Sequence, residues 1–359
     1  MENPFKFGTV VDGDYFTDRT KELEYLKQIL NSRNHVALIS PRRLGKTSLV
    51  IKTISEIDGR SIFINMESIT DKKELASTII KKILNIYPLE KIKYYIRNFR
   101  FIPTLSTNIM GDGFDVSFIP KVNEDAILED AFTMLDAIGD SEHRLIVVLD
   151  EFQEIGKIDE KLFSQLRAMM QMQKNINYII LGSQESMMRN IFEKKKSPFY
   201  HFATMMTLGP IPYSDFLEYL SKRLYPLASN DNENIAKKIL SFTDGQPYYT
   251  QKLAFHVWNT LESDGVSEDV VTKAIEFSLQ IHGIDFERLW INFNKTDKKV
   301  LKNIAFETNL PMSMITEGIA PSTIQSSLKR LLQNGYIVKN SHYKLEDPFF
   351  SAWIRKTMS

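Results

Sequence analysis

Short apolar runs alternate with helix-period segments over the first 210 residues. His35-Val-Ala-Leu-Ile39, Ser61-Ile-Phe-Ile-Asn65, His143–Glu151, Ile176–Gln184 and residues 204–211 are strand-length and almost continuously apolar. Such runs mark strands buried on both faces of a parallel sheet. Between them the apolar spacing is helical. Leu23, Leu26, Ile29 and Leu30 share one face of a helix that Asp18 can cap, and Leu49–Ile57, Lys72–Ile86, Glu124–Ile138 and Glu160–Gln173 follow. Strands alternating with helices predict an α/β fold with a central parallel sheet. Residues 1–17 read as an extended arm. Residues 99–119 break the rhythm. Phe114, Val116 and Phe118 alternate after Gly111-Asp-Gly113, which predicts an inserted hairpin that either covers a sheet edge or shapes a partner site.

From Pro212 to about Gly283 the pattern is helical throughout. The last 65 or so residues read as a small domain: helices over Lys298–Ala305, Met312–Glu317 and Pro321–Asn334, a closing Gly335, and a hairpin of Tyr336–Lys339 and His342–Leu345 across Asn340-Ser341. Helix-turn-helix plus hairpin predicts a winged helix. In DNA binders of this kind the third helix enters the major groove. Its outward residues here are Thr323, Gln325, Ser326, Lys329, Arg330 and Gln333. Between Asn294 and Ser359 there are 10 Lys and Arg against 5 Asp and Glu, an excess of 10 − 5 = 5 positive charges. That is a modest footprint for nucleic acid. Winged helices also dock onto proteins, so DNA contact and protein docking both stand.

The first apolar run leads into Ile39-Ser-Pro-Arg-Arg-Leu-Gly-Lys-Thr-Ser48. Strand, loop ending in Gly-Lys-Thr, then helix is the context of a phosphate-binding P-loop. Backbone N–H groups of Pro41-flanked Arg42, Arg43, Leu44, Gly45, Lys46, Thr47 and Ser48, with the helix they open, form an anion site. Lys46 reaches the β- and γ-phosphates and the Thr47 hydroxyl ligates Mg²⁺. The pattern has Gly where this chain has Ser40, a departure that bears on the first turn and not on the phosphate cradle. A second run ends in Asp150-Glu151. Carboxylates at the C-terminal end of a parallel strand lie where open α/β sheets bind ligands. Asp150 suits Mg²⁺, and Glu151 suits the orientation and deprotonation of an attacking water. A third run ends in Ser183-Gln184, either of which can sense the γ-phosphate or the water if this strand lies between the other two.

These segments, with Phe16-Thr-Asp-Arg19-Thr-Lys-Glu22, Val148-Leu-Asp-Glu-Phe-Gln153, Asp244-Gly-Gln-Pro247-Tyr and Asp347–Trp353, resemble the archaeal-type ATPases of the AAA+/STAND branch of P-loop proteins, over nearly the whole chain. The resemblance implies an ASCE-type nucleotide domain over 1–211, a helical lid over 212–290 and a winged helix over 291–359. It implies that Phe16 and Arg19 lie near the adenine, that Gln246 and Pro247 belong to a nucleotide-sensing lid motif, and that the nucleotide is ATP. The family's Gly-Arg pair after the sensor strand is replaced by Phe199-Tyr-His-Phe-Ala203, and Arg189 and Arg223 are the neighbouring candidates for its charge.

Composition narrows the classes. The chain has 359 residues, 45 basic and 45 acidic side chains, and no Cys. Charge balance gives no general drive toward nucleic acid or membrane. Absence of Cys removes disulfides, thiol chemistry and Cys-based zinc sites. No run spans a bilayer and no signal-peptide core is visible at the N-terminus, so a cytoplasmic location is expected. His143 and His256 lack partners at metal-ligand spacing and read as structural. Two functions remain: a Mg²⁺-dependent, slow ATPase whose nucleotide state moves the lid and winged helix, or a nucleotide-gated switch or DNA-binding regulator with little turnover.

Overall fold

Five of the apolar runs become one parallel sheet, seen in a computed structural model that describes residues 1–9, 13–17, 19–57, 59–100, 102–107, 114–118, 123–139, 144–306, 319–339 and 342–358. The chain divides into two compact units, Arg19–Gly209 and Met1–Asp18 with Pro210–Ser359.

In the Arg19–Gly209 unit the order is α1 (Thr20–Asn31), β1 (Val36–Ile39), α2 (Lys46–Ser55), β2 (Ser61–Asn65), α3 (Lys72–Leu84), α4 (Leu89–Ile96), β3 (Thr104–Thr107), β4 (Phe114–Ser117), α5 (Glu124–Ile138), β5 (Leu145–Asp150), α6 (Leu162–Met172), β6 (Ile176–Gly182), α7 (Glu185–Phe192) and β7 (Thr204–Thr207). The sheet order is β2-β5-β6-β1-β7, every pairing parallel. The strand between the two nucleotide-site strands is therefore β6, as the sensor reading requires. All four residues of β1 and all seven of β6 are buried, which is why these runs lack polar alternation. Helix starts follow local chemistry: Asp71 caps α3 by accepting from Glu74 N–H, and Asn123 caps α5 by accepting from Ala126 N–H. Asp18 lies outside the described residues. The residue at the cap position of α1 is Arg19, in the left-handed region with φ 67°.

β3 and β4 form the expected hairpin as a separate antiparallel pair. It packs over α3, where Leu105 and Val116 join the core and Lys81 meets Asp115 at 3.0 Å. It is thus a helix cover and does not pair with the edge strand β2. Gly111–Gly113 and His143 lie outside the described residues.

The other unit contains α8 (Tyr213–Ala228), α9 (Asn232–Thr243), α10 (Pro247–Asp264), α11 (Val270–Asn292), α12 (Lys295–Phe306), α13 (Pro321–Gln333), β8 (Ile337–Lys339), β9 (Tyr343–Leu345) and α14 (Pro348–Thr357). One apolar core runs through it from Ile211 to Ile354. The N-terminal arm shares it: Phe5 is buried edge-on against Tyr219 and Trp258. β8 and β9 pair antiparallel, and Gly335 leaves α13 at φ 72°. Met312–Glu317 lies outside the described residues. On α13, Ile324, Leu328 and Leu331 point inward. The six residues expected outward are exposed, but Arg330 is not available: its guanidinium grips the buried Asp297 at 2.6 and 3.1 Å. Among the described residues no helix is long and apolar enough to cross a membrane.

Candidate functional site

The loop between β1 and α2 holds its shape without a glycine at position 40. Its left-handed residues are Arg43 (φ 68°) and Gly45 (φ 86°), so Ser40 has no need of positive φ. The Ser40 hydroxyl instead donates to the Leu208 carbonyl at 2.8 Å, tying the loop to the chain that leaves β7. The strain that the Ser substitution suggested sits at Arg43, where a left-handed residue with a Cβ costs roughly 1–2 kcal/mol. Arg19 braces the loop from behind. Its buried guanidinium donates to the carbonyls of Leu44 (3.3 Å) and Gly209 (2.7 Å) and pairs with Glu22 (2.9 Å).

Lys46 is buried and donates to the carbonyls of Ser40 (2.6 Å) and Pro41 (2.9 Å). Burial pushes its pKa down to about 8, against the pull of the Glu151 and Asp150 carboxylates. Asp150 closes β5. Its carboxylate accepts from the Glu151 N–H at 2.9 Å and from the Thr47 hydroxyl, while burial pushes its pKa up. Thr47 and Asp150 thus place two hard oxygens side by side, a donor set that suits Mg²⁺. Among the described residues no group of three or more His, Cys, Asp or Glu gathers to hold a metal.

Glu151 lies just past the strand end, in the left-handed region with φ 50°. Its Oε2 accepts from the Ser183 hydroxyl at 2.6 Å and from Gln153 Nε2 at 2.5 Å. Its Oε1 lies 3.9 Å from Arg42 Nε, and Arg42 also lies 3.6 Å from Glu67. Of the two sensor candidates, Ser183 therefore meets Glu151. Gln184 turns away and donates to Glu154 at 3.2 Å. Gln153 lies two residues beyond Glu151, and nothing in its local sequence marks a role for it. It is wholly buried, and its Oε1 has no hydrogen-bond partner. It fits because the facing residue is Gly182: a Cβ there would lie 2.7 Å from Gln153 Oε1 and 2.4 Å from Met188.

Arg189 pairs with Glu185 on its own helix and with Glu193 just past its end, and Arg223 stacks on Tyr219 at 3.8 Å. Arg42 is the guanidinium that accompanies Glu151. In the second unit Gln246 precedes Pro247 at the start of α10 and donates to Glu346 at 2.8 Å, and Tyr249 donates to the same carboxylate at 2.6 Å. Asp244 pairs with Lys344 at 2.9 Å. The motif expected to sense nucleotide is thus tied to the C-terminal hairpin. Phe16 is half-buried in that same unit.

Residues 16–253 match the family model of an ATPase domain predominantly from Archaea. The chain belongs to this ATPase family. An uncharacterized protein of Methanocaldococcus jannaschii is 24% identical over 360 residues, covering 95% of this chain and 68% of that one. In three dimensions the ATPase is similar to a Walker-type ATPase of Pyrococcus abyssi, with a TM-score of 0.69 and 19% identity over 98% of this chain and 99% of that one. It is also similar to the ORC2 protein of Aeropyrum pernix, solved as ADPNP–ADP complexes, with a TM-score of 0.58 and 17% identity over 99% of each chain. The ORC1 protein of Aeropyrum pernix, solved in complex with DNA, gives 0.54 and 13% identity over 96% of this chain and 94% of that one. These likenesses show the fold, and the family model carries the assignment to a nucleotide-binding ATPase.

Proposed function

We propose that the chain is a slow, Mg²⁺-dependent ATPase in which Glu151 is the general base. The observation that carries this reading is the Glu151 carboxylate, held by Ser183 beside the Thr47–Asp150 pair. Residues 42–48 cradle the phosphates through backbone N–H groups, with Pro41 shaping the entry to the loop. Lys46, freed from the Ser40 and Pro41 carbonyls, donates to the β- and γ-phosphates. Thr47 and Asp150 hold Mg²⁺, which neutralises phosphate charge. Glu151 orients a water and takes its proton, with Ser183 fixing the carboxylate oxygen that does not. Turnover is slow because the family's Gly-Arg pair is missing and Arg189 and Arg223 are committed elsewhere. A charge-stabilising arginine is worth about 10³-fold or more in rate. Arg42, beside Glu151, supplies part of that charge.

Lys46→Ala is expected to abolish or strongly weaken ATP affinity by calorimetry, and Glu151→Gln to retain Mg²⁺–ATP binding while losing single-turnover hydrolysis. A wild-type rate in Glu151→Gln would refute the assignment of the base.

A second reading, a nucleotide-gated switch or DNA-binding regulator with little turnover, draws on the Gln246–Glu346 bond and on the DNA complex of the similar ORC1 protein. In it, residues 1–211 form the nucleotide domain, 212–290 the lid and 291–359 a winged helix. Gln246 and Pro247 then pass the nucleotide state to the winged helix, and Phe16 and Arg19 serve the adenine side. Lys329, on the exposed face of α13, meets DNA or a docking protein.

A further inference from the structure

A cavity of about 490 Å³ lies at the edge of the sheet opposite the P-loop. Its walls are the residues just before β1, β5 and β6: Arg33, His35, Arg144, Gln173, Lys174 and Asn175, with Ile176 as an apolar side. Three of these are cations drawn from three separate chain segments, and they converge on one space.

Several acceptors around the cavity are already engaged, among them the Arg33 carbonyl, which accepts from Arg144 Nη1 at 3.4 Å. Gln173 Oε1 accepts from the Tyr178 hydroxyl at 2.5 Å. The nearby carboxylate of Asp136 accepts through one oxygen from the Lys174 and Asn175 N–H groups, each at 2.8 Å. His35 Nδ1 accepts from Tyr178 N–H at 3.2 Å, which leaves Nε2–H as the donor of the neutral ring. Burial, with Arg144 and Arg167 nearby, pushes the His35 pKa down to about 4. Arg144 Nε is buried and has no hydrogen-bond partner, although buried polar atoms are normally satisfied.

We propose that this cavity is a second anion site of the chain, one that takes the phosphate group of a small phosphorylated molecule. Guanidinium forks match phosphate oxygens in pairs, and three cations suit a dianion. The volume exceeds that of a bare phosphate and falls within the ordinary range of small-molecule sites. A nucleic acid would instead call for a stripe of Lys and Arg along a face. The site does not depend on the ATPase reading, since none of its residues belongs to the P-loop or to the Asp150-Glu151 strand end.

The test is NMR of the full chain at saturating Mg²⁺–ADP, so that the P-loop does not compete. The His35 imidazole signals, assigned by their loss in His35→Asn, are followed during titration with inorganic phosphate and with glycerol 3-phosphate. The expected result is a saturable shift at millimolar ligand or below, with the His35 pKa moving up from about 4 as an anion favours the imidazolium. Arg144→Gln should weaken binding tenfold or more. Lys174→Gln, at an exposed position, should weaken it severalfold and keeps the test open if Arg144→Gln does not fold. Lys46→Ala should leave the His35 titration unchanged. No His35 shift with either ligand would overturn the site. Displacement of phosphate by a single-stranded oligonucleotide, followed at His35, would overturn the small-molecule assignment.

Discussion

Ser183, at the end of the central strand β6, donates its hydroxyl hydrogen to Glu151, at the end of the neighbouring β5, across 2.6 Å. Gln153 donates to the same oxygen from below. The carboxylate is thus held from two sides, and only its other oxygen remains to face a water. Ser183→Ala and Gln153→Leu should each leave ATP affinity within about twofold and lower single-turnover rate by roughly tenfold to a hundredfold, since the base loses the two donors that orient it. A variant that loses affinity and rate together would show that these residues support the loop and not the base.

Gly182→Ala should be more costly than a surface Gly→Ala. The new methyl meets Gln153 Oε1 and Met188 below contact distance. Overpacking of this kind costs roughly 1–3 kcal/mol, and the displaced Gln153 should carry the rate down with it. Denaturant midpoints beside single-turnover rates check both parts. Wild-type stability in this variant would mean that Met188 moves aside freely.

Stability should fall as the medium is acidified from about pH 6.5 to about pH 4. His35 and His256 each have a folded-state pKa lowered to about 4, chiefly by burial. In that window the unfolded chain binds more protons, so unfolding free energy rises with pH, is complete above the unfolded value and is lost on the way down. His35→Gln should remove close to one proton from the slope of stability against pH. An unchanged slope, read from denaturant melts across the window, would contradict the buried neutral ring.

The two basic neighbours on α13 should behave differently. Lys329→Ala should lower any DNA affinity and reduce the salt slope by about one, because an exposed lysine contacts phosphate. Arg330→Ala should instead destabilise the fold, by about 1–2 kcal/mol, by leaving Asp297 buried with one partner fewer. That is less than for a fully buried pair, because the arginine is 45% exposed. Gel shifts at two salt concentrations and thermal melts separate the two. A drop in DNA affinity without destabilisation in Arg330→Ala would reverse the assignment.

The sheet was legible because a strand buried on both faces needs an unbroken apolar run, and β1, β5 and β6 have one. The phosphate loop was legible because its chemistry is local: Gly45, Lys46 and Thr47 are adjacent in sequence. What stayed hidden was set by partners distant in the chain. Nothing near Arg330 announces Asp297, 33 positions earlier. The resemblance places Arg19 near the adenine, and nothing in its local sequence points to the Gly209 carbonyl, 190 positions away, that it binds. Gln153 looked like one more polar residue after Asp150-Glu151, and its role depends on the missing side chain at Gly182. α4 was missed because it is only 8 residues long: Leu89, Ile92, Tyr95 and Ile96 share its core face, but two turns are too short a window for a helical period to stand out.

The burial of Phe5 against Tyr219 and Trp258 sets an order of events during synthesis. The arm leaves the ribosome ahead of its binding partners, which are made more than two hundred residues later. The Arg19–Gly209 unit, whose strands are all present by then, can fold while the arm waits exposed. An apolar residue left uncovered for that interval is an opening for chaperones, and loss of Phe5 should act on yield in the cell before it acts on chemistry.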